Sequence, residues 1–307
     1  MDSEPILTVV SVPKPFAGRM NLIQRNALAT WKMPGPSVEI ILCGDERGTA
    51  ETAAEFGVAH CPLARRNEFG TPYLRDAFAA GRERGRGRLM CYINADILVT
   101  GAFFEAVCGI ERQAERFLVV GECMNLDLPE DWRVAGGGWE KEARQLVAER
   151  GVRRGVQSLD FFVFEKDFYM DLPDFLLGRY WFDNWLVWNA RKSGATVVDL
   201  SASVLMIHQN HNYSHVAGGF AGGQFQEENR RNWAAAGKGF RVYTTQEATH
   251  RWLDGILAPQ LGGRLLLGYY RRRMERFFAR VKHYSQRIVF YSRNPRAVIN
   301  KIRYGHP

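Results

Sequence analysis

The sequence predicts an α/β fold in which a mainly parallel sheet is flanked by helices and followed by an amphipathic helical tail. A chain of 307 residues with 46% hydrophobic content can bury a full core. β-Branched apolar runs alternate with segments of helical periodicity, which is typical of parallel sheets with helical crossovers. The end of the chain combines apolar residues at helical spacing with dense basic charge.

Strands and helices alternate along the first part of the chain. The predicted strands are "ILTVVSV" (6–12), "VEIILCGD" (38–45), "VAHCPLA" (58–64) and "RLMCYINADILV" (88–99). The intervening helices are "RMNLIQRNALATWK", "TAETAAEF" and a segment from about Pro72 to Gly85, which Thr71 caps. Because ligands bind beyond the carboxyl ends of parallel strands, Lys14, Asp45 and the stretch 94–96 are expected to converge on one crevice.

The second half continues this pattern. "LDFFVF" (159–164) predicts a strand, a helix is expected from about Phe182 to Gly194, and "TVVDLSASVLMI" carries His208 to a strand end on the crevice side. We therefore predict one domain over 1–255, with a nucleotide-binding half of about 1–122 and an acceptor half of about 123–255. A basic helical tail is predicted over 256–307.

Several classes of protein are disfavoured. No GxGxxG follows the first strand and no GxxxxGK[ST] occurs, which argues against a dinucleotide-binding Rossmann site and a P-loop. The start "MDSEPILTVV" lacks the basic region of a signal peptide, and no apolar run approaches the ~20 residues of a spanning helix. Five cysteines without CxxC spacing fit reduced thiols in a cytoplasmic protein.

The basic charge is concentrated in the tail. The formal net charge is +8, and from Arg264 onward twelve Lys and Arg residues face a single acid, Glu275. Apolar residues recur there at helical spacing, with arginines on the other face. Such a helix either lies on an anionic membrane surface or packs its apolar stripe on its own domain. We expect no nucleic-acid partner.

One acidic triplet, Asn94-Ala95-Asp96, ends the clearest strand. A carboxylate beside a nucleotide crevice can hold Mg²⁺ or Mn²⁺ against a diphosphate, since hard oxygen ligands suit these ions. The alternative is an Asp that caps the following turn and helix. The triplet alone does not separate these two interpretations.

At this point the chain resembles the GT-A fold glycosyltransferases, the nucleotide-diphospho-sugar transferases. The similarity is carried by the element order and by "SVPKPF", "IQRNALATW", "RRNEFGTPYL", "YINADILV", "FDNWLVWNAR" and "IHQNHNYSH", which resemble a poorly characterised glycosyltransferase group over about residues 6–216. This implies metal-dependent transfer of a sugar from a nucleotide-diphosphate sugar to a hydroxyl of a glycan or glycolipid, with inversion expected. The family motif is typically Asp-x-Asp, so Asn94 departs from it.

The resemblance implies a metal site and a donor site at the strand ends. Asp96 matches the metal contact, and His208 matches a further ligand of Mn²⁺ or Mg²⁺, with His211 in reserve. Asp45 matches an Asp that commonly reads the nucleobase, although a turn-forming Asp is the alternative. Lys14 and Arg19 could neutralise phosphates, with an ordinary surface charge as the alternative for either. The residues expected to contact the nucleotide sugar are Pro13, Lys14, Arg19, Asp45, Arg66, Asn67, Asn94 and Ala95.

The resemblance also implies an acceptor side. Asp183 matches the acid that inverting members carry at the start of a helix, where it acts as general base on the acceptor hydroxyl. A helix N-terminus lowers the pKa of an acid, so Asp183 is expected to be ionised. Trp181, Trp185 and His211 are expected to contact the acceptor, with a purely structural pair of indoles as the alternative.

Two other functions remain open from the sequence. A sugar-1-phosphate nucleotidylyltransferase shares much of this fold, but the glycine-rich loop that grips its triphosphate is absent. A membrane-attached nucleotide- or glycan-binding scaffold without catalysis is compatible with Asn94. Metal-dependent nucleotide binding separates the enzyme from the scaffold.

Overall fold

The computed structural model describes residues 4–63, 65–134, 136–211 and 222–260. Nine strands form a large sheet in the order β13-β12-β10-β6-β9-β4-β1-β2-β3. They are β1 (Leu7–Ser11), β2 (Val38–Cys43), β3 (Ala59–Cys61), β4 (Leu89–Ile93), β6 (Phe117–Val120), β9 (Phe161–Glu165), β10 (Thr196–Asp199), β12 (His250–Leu253) and β13 (Ile256–Pro259).

Most neighbours in this sheet are parallel. The exceptions are β9, which is antiparallel to both β4 and β6, and the hairpin of β12 and β13. The helices that connect the strands pack on both faces of the sheet. The prediction of an α/β fold with a mixed, mainly parallel sheet flanked by helices is therefore confirmed.

A second, smaller sheet lies beside the first, in the order β5-β11-β7-β8. Its strands are β5 (Ile97–Val99), β7 (Met124–Leu126), β8 (Val152–Arg153) and β11 (Met206–Gln209). The prediction of one continuous strand over 88–99 is wrong, because the amide of Ile97 donates to the carbonyl of Asn94 in a turn. This turn ends β4 in the large sheet and starts β5 in the small one.

Two apolar clusters cover the faces of the large sheet. Side chains alternate along each strand, so Val10 belongs to one cluster and Val9 to the other. Phe78 and Leu186 represent the helices on the first face, and Leu28 represents those on the second. The helices are α1 (Gly18–Trp31), α2 (Thr49–Phe56), α3 (Leu74–Arg84), α4 (Gly101–Glu111), α5 (Trp139–Arg150), α6 (Phe182–Lys192) and α7 (Gly223–Ala235).

Helix α3 begins later than predicted. Its first residue is Leu74, and no side chain caps it, so the expected capping role of Thr71 is wrong. The amide of Leu74 instead donates to the carbonyl of Phe175, and Tyr73 forms a bridge with Leu176. The loop before α6 therefore holds the start of α3 in place of a cap.

The predicted boundary at residue 255 falls inside the large sheet. β13 pairs with β12 over Ile256–Pro259, so these residues belong to the sheet and not to the tail. The rest of the predicted tail, 261–307, and its predicted membrane contact lie outside the described residues. None of the helices in the described ranges has the length and apolar character needed to cross a bilayer.

Candidate metal and donor site

A cleft of about 570 Å³ opens at the carboxyl ends of β1 and β4. Lys14 follows β1 and lines the cleft together with Asn94, Ala95 and Asp96, which follow β4. The two strands are parallel neighbours, which brings these segments to one edge of the sheet. Pro13 lies in the same wall. The structure thus brings together Lys14 and the stretch 94–96, whereas Asp45, which was expected to join them, lies outside the lining.

Asp96, His208 and His211 form the one cluster of potential metal ligands within the described residues. One ligand atom from each lies within 4.8 Å of the others. The Nε2 atoms of His211 and His208 lie 3.0 and 3.7 Å from Oδ2 of Asp96. β11 delivers His208, because it pairs with β5 and the amide of Gln209 donates to the carbonyl of Asp96.

The charge at Asp96 depends on its cationic surroundings. Asp96 is only 8% exposed. Burial alone would raise its pKa, but the hydrogen bond from His211 and the charges of His208 and Lys14 lower the pKa of Asp96 to about 2. Burial also lowers the pKa values of Lys14 and His208. Asp96 is therefore a carboxylate at neutral pH.

The donor atoms in this cluster fit a divalent cation. Within the described residues, Oδ1 of Asp96 is buried and has no hydrogen-bond partner, which is costly for a charged oxygen unless an ion occupies that side. One carboxylate and two imidazoles suit Mn²⁺, and the carboxylate also suits Mg²⁺. The sequence indicated His211 as a reserve ligand or an acceptor contact. Its Nε2 lies closer to the Asp96 carboxylate than that of His208 does.

A buried acid explains the departure at Asn94. The Asn94 side chain donates from Nδ2 to Oδ1 of Asp160 at 3.0 Å, and its backbone amide donates to the Asp160 carbonyl. Asp160 precedes β9, the antiparallel neighbour of β4. An aspartate at position 94 would place a second negative charge beside Asp160 and would have no N–H group to donate to it. The Asn94 side chain can donate a hydrogen bond, so an amide suits the acid beside it.

Arg154 connects Asp160 to the metal cluster. Its Nε lies 2.8 Å from Oδ2 of Asp160, and its Nη1 lies 3.0 Å from Nδ1 of His208. A guanidinium can only donate, so Nδ1 of His208 accepts and the ring hydrogen sits on Nε2. Coordination of a cation through Nε2 would require this hydrogen to move to Nδ1, and His208 would then give up its bond from Arg154. Arg154 was not identified from the sequence.

The other predicted donor residues are only partly in the cleft. Arg66 lines it and pairs with Asp45 and Glu46, whereas the Asp45 side chain is 63% exposed and lies outside the cleft lining. Asn67 also lies outside the lining, and its Oδ1 accepts from the backbone amide of Thr71. It organises the loop instead.

Arg19 lies away from the other residues expected to bind the donor, and its contact with phosphate stays a prediction. Its Nη2 donates to the carbonyl of Leu128 at 2.9 Å. Arg19 lies at a separate cavity of about 340 Å³, together with Glu130 and Arg133, and does not line the main cleft.

Asp183 lies at the start of α6, as predicted, but in a different protonation state. It keeps some solvent contact, yet burial of its carboxyl raises its pKa to about 7, and the charge of Asp160 adds to the shift. The amides of Asn184 and Trp181 oppose the shift. The expected ionised state is therefore corrected, because desolvation outweighs the helix terminus. Among the described residues, Asp183 is not part of the cleft lining.

The two predicted acceptor tryptophans have different environments. Trp185 is 5% exposed and packs in the core against Phe175, with ring centroids 5.3 Å apart. This burial favours the alternative of a structural indole, and the acceptor contact of Trp185 stays an untested prediction. Trp181 is partly exposed and has a positive φ of 87°. The indole of Trp181 therefore remains a candidate acceptor contact.

A buried ion pair at the other end of the cleft was also missed. Arg179 donates from Nε to Oε2 of Glu228 at 2.7 Å, and Glu228 is fully buried. Asn67 and Gln224 donate to the same carboxylate. These contacts fix α7 against the loops that border the cleft. No local pattern marks them, because the partners lie far apart in sequence.

No protein-family model and no curated protein matches this sequence. Among solved structures, the chain is similar to TarS 1-349 from S. aureus in complex with UDP-GlcNAc, with 12% identity and a TM-score of 0.49 over 75% of this chain and 66% of that one. It is also similar to glucosyl-3-phosphoglycerate synthase from Mycobacterium tuberculosis with Mn²⁺, UDP and phosphoglyceric acid, with 16% identity and a TM-score of 0.46 over 76% and 77%.

A third similar structure is GalNAc-T7 with UDP, GalNAc and Mn²⁺, with 13% identity and a TM-score of 0.47 over 76% of this chain and 48% of that one. The chain thus spans just under two thirds of the TarS fragment and about half of GalNAc-T7.

Proposed function

We propose that this protein is a metal-dependent glycosyltransferase that moves a sugar from a nucleotide-diphosphate sugar to an acceptor hydroxyl, with inversion. The observation that carries the proposal is the buried cluster of Asp96, His208 and His211 beside Lys14, at the strand ends that form the cleft. Among the described residues, one buried oxygen of the Asp96 carboxylate has no hydrogen-bond partner, and an oxygen of this kind is a suitable ligand for a divalent cation. Adjacent cationic side chains suit a diphosphate.

Each group then has a defined task. Asp96, His211 and, with its ring hydrogen moved to Nδ1, His208 would hold Mn²⁺ or Mg²⁺. A bound cation would supply positive charge beside the departing diphosphate. Lys14 and Arg154 add fixed positive charge on the same wall of the cleft. These residues would bind the donor and stabilise the leaving group.

Asp183 supports the acceptor half of the reaction. With a pKa of about 7, its carboxylate can take the hydroxyl proton near neutral pH. The acceptor oxygen forms a bond to the anomeric carbon, the bond from that carbon to the phosphate oxygen breaks, and the nucleoside diphosphate departs. The proton ends on Asp183. Attack on the face opposite the leaving group gives inversion.

The acceptor and location are also part of the proposal. We infer a glycan or glycolipid acceptor and a cytoplasmic protein that lies peripherally on an anionic membrane face through its basic tail. The support is the concentration of arginines from Arg264 onward. No nucleic acid is involved.

The test is calorimetric binding of nucleoside diphosphates and nucleotide sugars, starting with UDP, in Mn²⁺ and in chelator. The wild type is expected to bind one nucleotide in Mn²⁺, and Asp96→Asn is expected to weaken this binding by about 100-fold. Asp171→Asn, which alters an exposed acid, is the matched control. Absence of metal-dependent binding in a folded sample would favour the scaffold, and release of pyrophosphate from a nucleoside triphosphate would favour the nucleotidylyltransferase.

A further inference from the structure

A row of aromatic rings lies beside the start of α6. Trp181 and Trp233 meet edge to face with centroids 5.1 Å apart, and Trp233 meets Phe240 in the same way at 5.3 Å. Phe240 in turn lies 5.9 Å from Trp188, and both pack partly on the core. We call Trp181, Trp233, Phe240 and Trp188 the aromatic ledge. Trp233 is 50% exposed, so the ledge presents an indole to solvent.

The aromatic ledge is continuous with the cleft. Tyr180, one residue before the ledge, packs edge to face on Phe225 at 5.2 Å, and Phe225 lines the cleft with Arg179. The amide of Tyr180 donates to Oδ1 of Asn229, which ties this segment to α7. A ligand on the ledge would therefore extend directly from the cleft.

The backbone at Trp181 links the aromatic ledge to the candidate base. Its φ of 87° lies in the left-handed region, which a bulky residue seldom adopts. Trp181 precedes α6 directly, and Asp183 lies in the first turn of that helix. Such strain persists where the surrounding structure enforces it, and it is frequent at functional sites. The ring that Trp181 supplies to the ledge therefore lies two residues before the base.

The surface chemistry of the ledge favours a sugar over a lipid. On α7 the neighbouring arginines are paired with acids: Arg230 with Glu227, and Arg231 with Glu227 and Glu68. These pairs give that side mixed charge, whereas a face that binds anionic lipid carries an excess of basic groups. Lys238 and Arg241 flank Phe240 in the sequence, and Nζ of Lys192 lies 4.9 Å from the centre of the Trp188 ring. An anionic membrane is therefore retained as the competing outcome of the test.

We propose that the aromatic ledge binds the sugar rings of an oligosaccharide acceptor and presents its terminal hydroxyl to Asp183. Flat indole faces pack on the C–H faces of pyranose rings, while the indole N–H remains available to hydroxyl groups. This inference rests on the proposed glycosyl transfer, and it names the acceptor as a chain of at least two sugars rather than a small alcohol.

The test uses the full-length protein on an array of defined glucose, galactose, mannose and N-acetylglucosamine oligosaccharides. Trp233→Ala is expected to weaken binding of the recognised oligosaccharide by about tenfold, since one stacking ring is lost. Trp233→Phe keeps a ring and is expected to stay within about threefold of the wild type. Met170→Ala removes a side chain that is 56% exposed elsewhere, and it serves as the matched control.

UDP binding in Mn²⁺ is measured on the same samples. It is expected to be equal in wild type and Trp233→Ala, which shows that the fold and donor site are intact. Oligosaccharide binding that is unchanged in Trp233→Ala, or absent in the wild type, overturns the ledge assignment. Loss of binding to phosphatidylglycerol vesicles in Trp233→Ala, with oligosaccharide binding intact, overturns it in favour of a membrane face. Failure of the wild type to bind any nucleotide instead overturns the proposed transferase, independently of the ledge.

Discussion

Two aspartates of this protein lie in opposite electrostatic environments. Asp96 is surrounded by His208, His211 and Lys14, and its pKa falls to about 2. Asp183 is also desolvated, but the charged neighbour that acts on it is the acid Asp160, and its pKa rises to about 7. Burial alone would raise the pKa of both carboxyls, so the neighbours determine the difference.

The difference separates two chemical tasks. A permanently ionised carboxylate suits a metal ligand, because it does not have to lose a proton to bind. A carboxyl with a pKa near neutrality suits a general base, because it can accept a proton and return it to solvent. Divergent pKa values of two acids near one cleft are a frequent sign of assigned acid and base roles. The following predictions test that separation, from the largest expected effect to the smallest.

The largest effect is expected for Asp183→Asn. The amide cannot accept the acceptor proton, so turnover should fall by about 100- to 10,000-fold while nucleotide affinity stays unchanged. In the wild type, kcat/KM should rise with pH up to about 7 and then level, because only the ionised carboxylate is active. Steady-state rates over a pH series measure the turnover and its pH dependence, and calorimetry measures the nucleotide affinity. A loss of nucleotide binding in Asp183→Asn would show that donor binding and proton transfer are not divided between Asp96 and Asp183.

Sequence and structure agree best where local patterns determine position. Apolar runs predicted the positions of the strands. Asp96 after β4 and His208 in β11 were predicted to lie together because residues at the ends of parallel strands meet at one edge of a sheet. His208 is not at the last position of its strand, since β11 continues to Gln209.

Long-range contacts were not predictable in the same way. The bond between Asn94 and Asp160 joins residues on separate strands, and Arg154 reaches His208 from the segment after β8. The pKa of Asp183 was predicted in the wrong direction, because desolvation depends on tertiary packing that a helix start does not reveal. Trp185 could have been recognised as a core residue, because it continues the apolar spacing of Phe182 and Leu186 along α6.

An intermediate effect is expected for Asn94→Asp, which restores the family's acidic pair in sequence. The new carboxylate would lose the hydrogen bond to Asp160 and repel it, so we expect a fall of about 2 kcal/mol in the free energy of unfolding at neutral pH. Denaturant unfolding measures this. Asn94→Asp with Asp160→Asn is the matched double variant, and recovery of stability there would confirm that the two side chains act on each other. Tighter Mn²⁺ binding by the single variant would contradict this interpretation.

The smallest effect concerns stability at Asp183. Its pKa is about 7 in the folded state, whereas an unfolded Asp titrates near pH ~4. Between these values the folded protein holds one more proton than the unfolded chain, so the free energy of unfolding falls as pH rises through this window. Asp183→Asn removes that loss, and we expect a gain on the order of 1 kcal/mol above pH ~7, since solvent contact screens part of the effect.

Urea unfolding of wild type and Asp183→Asn over a pH series measures the gain, with Asp171→Asn as the exposed control. For Asp96 we expect the free energy of unfolding to depend on pH in the opposite direction. Its pKa is lowered in the folded state, so its contribution to stability is present above pH ~4 and is lost as pH falls toward ~2. A variant that is both more stable and inactive would show that the protein keeps Asp183 for chemistry, since a structural acid would lose stability on neutralisation. Equal stability of Asp183→Asn and wild type at every pH would mean that the carboxyl is solvated, and the contrast with Asp96 would then be lost.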